Sequence, residues 1–259
     1  QVGIIDLTPF TKHEVSGAGA AAWLDSLVAN KVPVKAGRIA LCHALTPRGG
    51  IRSEFTITRL PNGSFYVVSA GAAERYDADY LQKRLPTDGS VALSNITSAR
   101  GCFVVAGPRS RDVLARLIDA PLDNAAFPWL SSQVLEVGLA VDVYTLRVNF
   151  VGSLGWELHF PIEYAHHLFD ALFEAGAEHG IGMVGMRAME SMRLEKSYRM
   201  WGSDMTRDYT PFETGLDRFV RLNKGEFMGR EALLRQQAAG VPNHFVTLEV
   251  HDVTDADAL

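Results

Sequence analysis

Cysteine is nearly absent from this chain: only Cys42 and Cys102 occur among 259 residues. One pair cannot staple a domain of this size, so a disulfide scaffold is excluded. The scarcity points to a reducing compartment, read as cytoplasmic, or as the mitochondrial matrix in a eukaryote. No apolar run approaches the ~18 residues of a membrane helix. The longest, such as 65–73 and 102–106, are strand-sized. No cluster of Lys and Arg forms a stripe and the net charge is −5, which disfavours a nucleic-acid partner. There is no Gly-x-Ser-x-Gly elbow, and neither cysteine carries an activating signature, so nucleophilic hydrolysis has little support. With 47% hydrophobic residues the chain has what a core needs and is not disordered.

What is present is a mixture of strand and helix periodicities. Gly3–Leu7 reads as a strand, and Ala21, Leu24, Leu27 and Val28 mark a helical face. Arg38–Thr46, Ile51–Arg59 and Phe65–Ser69 read as three strands joined by the turns Pro47–Gly50 and Leu60–Ser64. Such a meander is antiparallel and not a βαβ series. Helices are expected at Ala72–Arg84, Arg109–Ile118, Ala165–Ala175, Met186–Tyr198 and Arg230–Ala238. A second strand group, Gln133–Glu136, Val141–Asn149 and Trp156–Phe160, lacks intervening helices. The pattern predicts an α+β fold of two antiparallel sheets flanked by helices, with its softest boundary at Pro121–Pro128. The chain opens on a strand pattern and closes on another, His244–Val250, with nothing downstream to pair with it, as expected of a piece of a longer protein.

Several motifs have bland readings. Gly17–Ala22 has the small-residue skeleton of a dinucleotide turn, but no acidic residue lies between Asp25 and Glu54 to hold a ribose, and hairpins follow. Close packing explains it better. His166 and Asp170 lie one helical turn apart, but Leu168, Phe169, Leu172 and Phe173 form that helix's core stripe and leave the pair on a wet face, so no metal site is expected. Cys42 and His43 point to opposite faces of one strand. Three carboxylates stand out: Glu54 inside a half-buried strand, Glu157 between large apolar residues, and Glu195 on a helix with Arg187 nearly two turns earlier. Each is either an outward-facing charge or a group kept for chemistry.

The segments Gly3–Phe10 with Val15–Gly17, Arg48–Glu54, Val151–Leu158, Met192–Lys196, Trp201–Thr206, Thr210–Leu216 and Phe227–Leu233 together resemble the glycine-cleavage T-protein (aminomethyltransferase) superfamily, in collinear order over nearly the whole chain. Leu194–Gly202 is most similar to the tetrahydrofolate-binding half of dimethylglycine and sarcosine dehydrogenases. In such two-part enzymes a flavin half oxidises an N-methyl group to an iminium. The folate half captures the one-carbon unit as 5,10-methylenetetrahydrofolate.

The resemblance therefore implies a T-protein-like folate-binding fold that takes tetrahydrofolate as cofactor. FAD is expected only on a separate domain or subunit, and the partner is a small methylated amine or its iminium. Residues 1–120 and 121–240 would form two folate-binding subdomains, and 241–259 the start of a terminal β-barrel domain that is mostly missing. By the same resemblance, Glu157 accepts the two-donor edge of the pterin, with Trp156 and Phe150 as apolar surface. Glu54 is the catalytic carboxylate that stabilises the cation and orients or deprotonates the attacking amine. Arg187 matches a substrate-binding arginine. Glu54 is one methylene longer than the family's aspartate, Phe150 replaces a tyrosine, and Leu41 stands where tyrosine is common. Two other branches share the fold. Folate-binding proteins of iron–sulfur maintenance are non-enzymatic and carry Lys-Gly-Cys-Tyr-x-Gly-Gln-Glu. Here Lys224–Glu231 has Glu226 for the cysteine and Arg230 for the glutamine. A folate-dependent demethylase is the third possibility.

Overall fold

The computed structural model describes residues 1–249 and 251. Eleven strands and six α-helices occur among them: β1 (Gly3–Asp6), β2 (Thr11–Ser16), α1 (Ala20–Leu27), β3 (Ile39–Leu45), β4 (Ile51–Arg59), β5 (Phe65–Ser69), α2 (Glu74–Gln82), β6 (Ala92–Asn95), β7 (Arg100–Ala106), α3 (Ser110–Leu114), β8 (Ser132–Val137), β9 (Ala140–Leu146), β10 (Gly155–Pro161), α4 (Ala165–Gly176), β11 (Gly182–Met183), α5 (Met186–Glu195) and α6 (Arg230–Ala239). No described helix is long and apolar enough to cross a membrane.

The strands form two sheets, ordered β3-β4-β5-β2-β6 and β11-β1-β7-β10-β9-β8. The expected meander is there, since β3, β4 and β5 pair antiparallel in sequence order. One departure from all-antiparallel pairing is the short β11, which runs parallel to β1 at the edge of the larger sheet. The division near residue 120 does not separate the sheets, because β1 and β7 from the first half pair into the sheet that holds β8, β9 and β10.

Each sheet buries one face under helices. Trp23, Leu24 and Leu27 of α1 and Tyr80 and Leu81 of α2 pack on Val15, Phe55, Ile57 and Phe65. On the larger sheet, Val113, Leu114, Leu168 and Leu172 of α3 and α4 cover Phe103, Val105, Trp156, Leu158 and Phe160. The opposite faces look toward each other. Ile39, Tyr66 and Val68 of one sheet cluster with Tyr144 and Leu146 of the other. Helix α5 lies on this inner side, where Met189 and Met192 meet Ile5, Cys102 and Val104.

Two expectations need correction. His244–Glu249 forms no strand and pairs with none of the described strands; Phe245 instead donates its N–H to the Glu213 carbonyl and packs its ring edge against Tyr209 at 4.7 Å. Val250, the end of that expected strand, lies outside the described residues. Ala21 is exposed, and the buried side of α1 is Ala20, Trp23, Leu24 and Leu27. The glycines before α1 serve close packing: a Cβ on Gly17 would lie 2.3 Å from the Ser90 carbonyl oxygen.

Gly50 shows the same device where it positions the site. Its Cα faces the Arg207 carbonyl so closely that a Cβ would lie 1.8 Å from that oxygen, and the next amide, Ile51, donates to Tyr209. The turn feeding β4 is thereby locked to the 207–209 segment. Gly50→Ala should lower stability by about 1–3 kcal/mol through forced backbone displacement. Urea unfolding checks it, and a change within 0.3 kcal/mol (about the error of additive comparisons) would show that the segment yields freely.

Candidate functional site

The period of 2 in β10 decides where its side chains go. Trp156, Leu158 and Phe160 enter the helix-covered core, and Glu157 and His159 emerge together on the inner face. Glu157 is only 8% exposed. Its Oε2 lies 3.1 Å from Nε2 of the fully buried His159, whose Nδ1 lies 2.9 Å from the hydroxyl of Tyr66 on β5. That contact crosses from one sheet to the other. Cys102, directly opposite His159 on β7, brings its Sγ to 3.6 Å from the same Nε2. Burial pushes the Cys102 thiol and the Tyr66 phenol well above their ordinary values and lowers His159, so all three are neutral at physiological pH.

A second carboxylate stands on the inner side of the smaller sheet. Glu54 on β4 sits opposite His43 on β3, and its Oε2 is 2.9 Å from His43 Nε2. His43 is fully buried and Glu54 partly open, with its side chain 24% exposed. The Phe219 ring lies 6.3 Å from the imidazole of His43. Phe219 and Leu41 also line a cavity of about 480 Å³ whose rim carries Lys35, Arg38, Arg218 and Arg221. None of these four cations is ion-paired among the described residues. A basic cavity in a chain of net charge −5 is therefore not a sample of the average surface.

The five expected site residues divide. Glu157 and Glu54 occupy inner-side positions, each held by a histidine. Phe150 is half-buried against Cys102, Val104 and Met189, on the same side of the sheet as Glu157. Its loop is shaped by Asn149, whose Oδ1 accepts the amides of Val151 and Gly152. Trp156 does not belong with them. It is fully buried on the opposite face of β10 in contact with Phe127, because neighbours along a strand point to opposite sides. Arg187 is exposed on α5, whose buried residues are Met189 and Arg193. Its side chain makes no hydrogen bond among the described residues, and the structure does not join it to either carboxylate.

Sequence reading missed His159, Tyr66 and His43. The hairpin turn Pro47–Gly50 sets the His43–Glu54 pairing, and an i, i+2 spacing puts His159 beside Glu157, so two of the three were in reach. Tyr66 comes from another sheet and left no local signal. His166 and Asp170 are exposed, as their helix stripe implied, while His167 accepts the Leu139 amide.

This two-sheet architecture with its flanking helices is shared with a solved aminomethyltransferase. The sequence model of the GCVT N-terminal domain matches residues 1–224, and the chain belongs to that family. It is 36% identical over 252 residues to mitochondrial dimethylglycine dehydrogenase of Mus musculus, covering 96% of this chain and 29% of that protein. To the aminomethyltransferase of Halalkalibacterium halodurans it is 30% identical, covering 97% of this chain and 68% of that one. The fold matches the crystal structure of the glycine cleavage system aminomethyltransferase T from Bartonella henselae with a TM-score of 0.79 and 25% identity, over 92% of this chain and 64% of the other. The chain spans less than a third of the dimethylglycine dehydrogenase it resembles.

Proposed function

We propose that this chain binds tetrahydrofolate between its sheets and captures a one-carbon unit from an N-methylated glycine that a flavin domain or subunit has oxidised. Its relatives include dimethylglycine dehydrogenase and aminomethyltransferases, which supports that class of substrate. The observation that carries the reading is Glu157: a carboxylate only 8% exposed whose one side-chain partner among the described residues, His159, is neutral. A buried carboxylate has acceptor capacity for more than one donor. The two-donor edge of a pterin, a ring N–H beside an amine, supplies what is missing.

Tetrahydrofolate, when bound, contributes the nucleophilic amines that accept the one-carbon unit. The chain's own part is electrostatic and positional. Glu54, partly open and anchored by His43, places negative charge where an iminium cation would approach and can accept the proton released on capture. Leu41 and Phe219 join that pair to the basic cavity, which suits the carboxylates at the glutamyl end of a folate. At the cysteine position of the iron–sulfur maintenance proteins stands Glu226, which pairs with Arg230 at 3.1 Å and supplies no thiol.

Glu54→Gln tests the division of labour. Joined to its flavin partner, the variant should keep folate affinity within a few-fold while its output shifts from methylenetetrahydrofolate toward free formaldehyde by about 10- to 100-fold, the usual range for a general base. The product ratio measured with limiting and saturating folate checks it. An unchanged ratio would reduce Glu54 to a strand charge.

A further inference from the structure

The Glu157 carboxylate has no Lys or Arg partner among the described residues. What fixes it is an imidazole, and that imidazole is itself fixed from the other sheet. We propose that His159 is a positioning residue for Glu157, with its tautomer dictated by Tyr66, an inference that rests on the folate role of Glu157.

The proton assignment follows from the geometry. A neutral imidazole has one N–H and one bare nitrogen. Nε2 lies 3.1 Å from a carboxylate oxygen that only accepts, so the N–H is on Nε2 and donates to Glu157. Nδ1 is then the bare acceptor, and the Tyr66 hydroxyl, 2.9 Å away, donates to it. The Tyr66 ring also stands edge-on to the imidazole at 5.2 Å, which restricts its rotation. Donors thus run in one direction, from Tyr66 through His159 to Glu157 and across the gap between sheets.

The consequence for binding is selective. His159 occupies one lone pair of Oε2 and leaves Oε1 and the remaining pair of Oε2 for a ligand. The carboxylate plane is set before a ligand arrives, which lowers the ordering cost of a bidentate contact. Around the imidazole, burial opposes a second proton and outweighs the Glu157 carboxylate, which favours one; the Lys12 and Arg100 cations add to the effect of burial, and burial also keeps the Cys102 thiol neutral. Lys12 is spent on the carbonyls of Thr8 and Phe10, at 2.7 and 2.8 Å.

One other arrangement uses the same atoms. Ligand atoms of Cys102, Glu157 and His159 lie within 4.8 Å of one another, close enough to hold a metal ion. Nε2 would then be a ligand and the proton would sit on Nδ1. The direct 3.1 Å contact of Nε2 with the Glu157 oxygen, with the Tyr66 hydroxyl 2.9 Å from Nδ1, favours the donor assignment, and the two differ in a measurable tautomer.

The experiment has two arms on the whole chain. In the first, ¹⁵N spectra of histidine-labelled protein should show His159 with a bare Nδ1 and a protonated Nε2 without any ligand. The opposite tautomer, or zinc binding that is lost in His159→Leu, would overturn the proposal. In the second, calorimetric titration with 5-formyltetrahydrofolate compares variants of unchanged melting temperature. His159→Leu should weaken binding about 10- to 100-fold, as loss of an orienting partner does elsewhere. His159→Gln, which keeps an amide donor, should recover most of it. Tyr66→Phe should weaken binding about 3- to 10-fold and add nothing in the His159→Leu background, since both act through one hydrogen-bonded chain. Equal losses in the Leu and Gln variants would show a packing role and refute positioning. Wild-type protein that binds no folate overturns the function proposed above and this role together, whereas binding that is indifferent to His159 overturns this role alone.

Discussion

Glu157→Gln should reduce the affinity for reduced folate about 30- to 1000-fold, equivalent to about 2–4 kcal/mol. The size of the effect comes from an amide having too many donors for its place. If the glutamine oxygen turns to accept from His159, its NH₂ faces the pterin donors. If it turns the other way, the NH₂ confronts the N–H of His159, 3.1 Å from the present Oε2. Either orientation leaves buried donors opposed, and the loss of charge removes the stronger form of hydrogen bond. Calorimetric titration at fixed salt is the check. A loss of less than about threefold, well under the range of a buried charge-assisted contact, would mean that the pterin does not meet this residue.

Trp156→Ala should be the most damaging single change to stability, costing about 3–5 kcal/mol, the usual range for a fully buried large aromatic. Trp156 is 0% exposed, packs against Phe127 at 6.2 Å, and belongs to the cluster under α3 and α4. Trp156→Phe should cost much less, because it keeps an aromatic ring and removes a buried indole N–H that has no partner among the described residues. Neither change should alter folate affinity in the protein that remains folded. Urea unfolding and titration on the same samples separate the two effects. A large affinity loss in Trp156→Phe, with stability retained, would return this residue to the ligand's side of the sheet.

That correction shows what the sequence could and could not convey. Trp156 and Glu157 are adjacent in the chain, and adjacency made them look like parts of one pocket. The alternation of β10, with Trp156, Leu158 and Phe160 against Glu157 and His159, already separates them, and applying it would also have found His159. The hairpins β3-β4-β5 were legible because their turns and alternation are local. The strand β2, Thr11–Ser16, was not: Thr11, Lys12, His13 and Val15 are all buried, so polar residues occupy both faces and no apolar period remains. Its burial is satisfied by contacts that arise only in the fold, such as Lys12 with the carbonyls of Thr8 and Phe10. The sheet order is equally nonlocal, since β1 and β7 pair with each other about 100 residues apart, and β7 then pairs with β10. Glu54 stands out as a charge inside a half-buried strand and takes its role from resemblance, while its anchor His43 follows from register alone once the turn at Pro47–Gly50 is placed.

In the proposed function, reduced folate sits between the two sheets with its pterin on Glu157. A crystal structure of this chain with 5-formyltetrahydrofolate measures that position directly. The ring N–H and exocyclic amine should lie within hydrogen-bond distance, about 2.7–3.0 Å, of the Glu157 oxygens, with His159 still on Oε2. Phe150 should lie against the ring, and the glutamyl end should point toward the cavity of Arg218 and Arg221. Density for the pterin anywhere else, for instance in the smaller hollow lined by Tyr76 and Trp201, would contradict it.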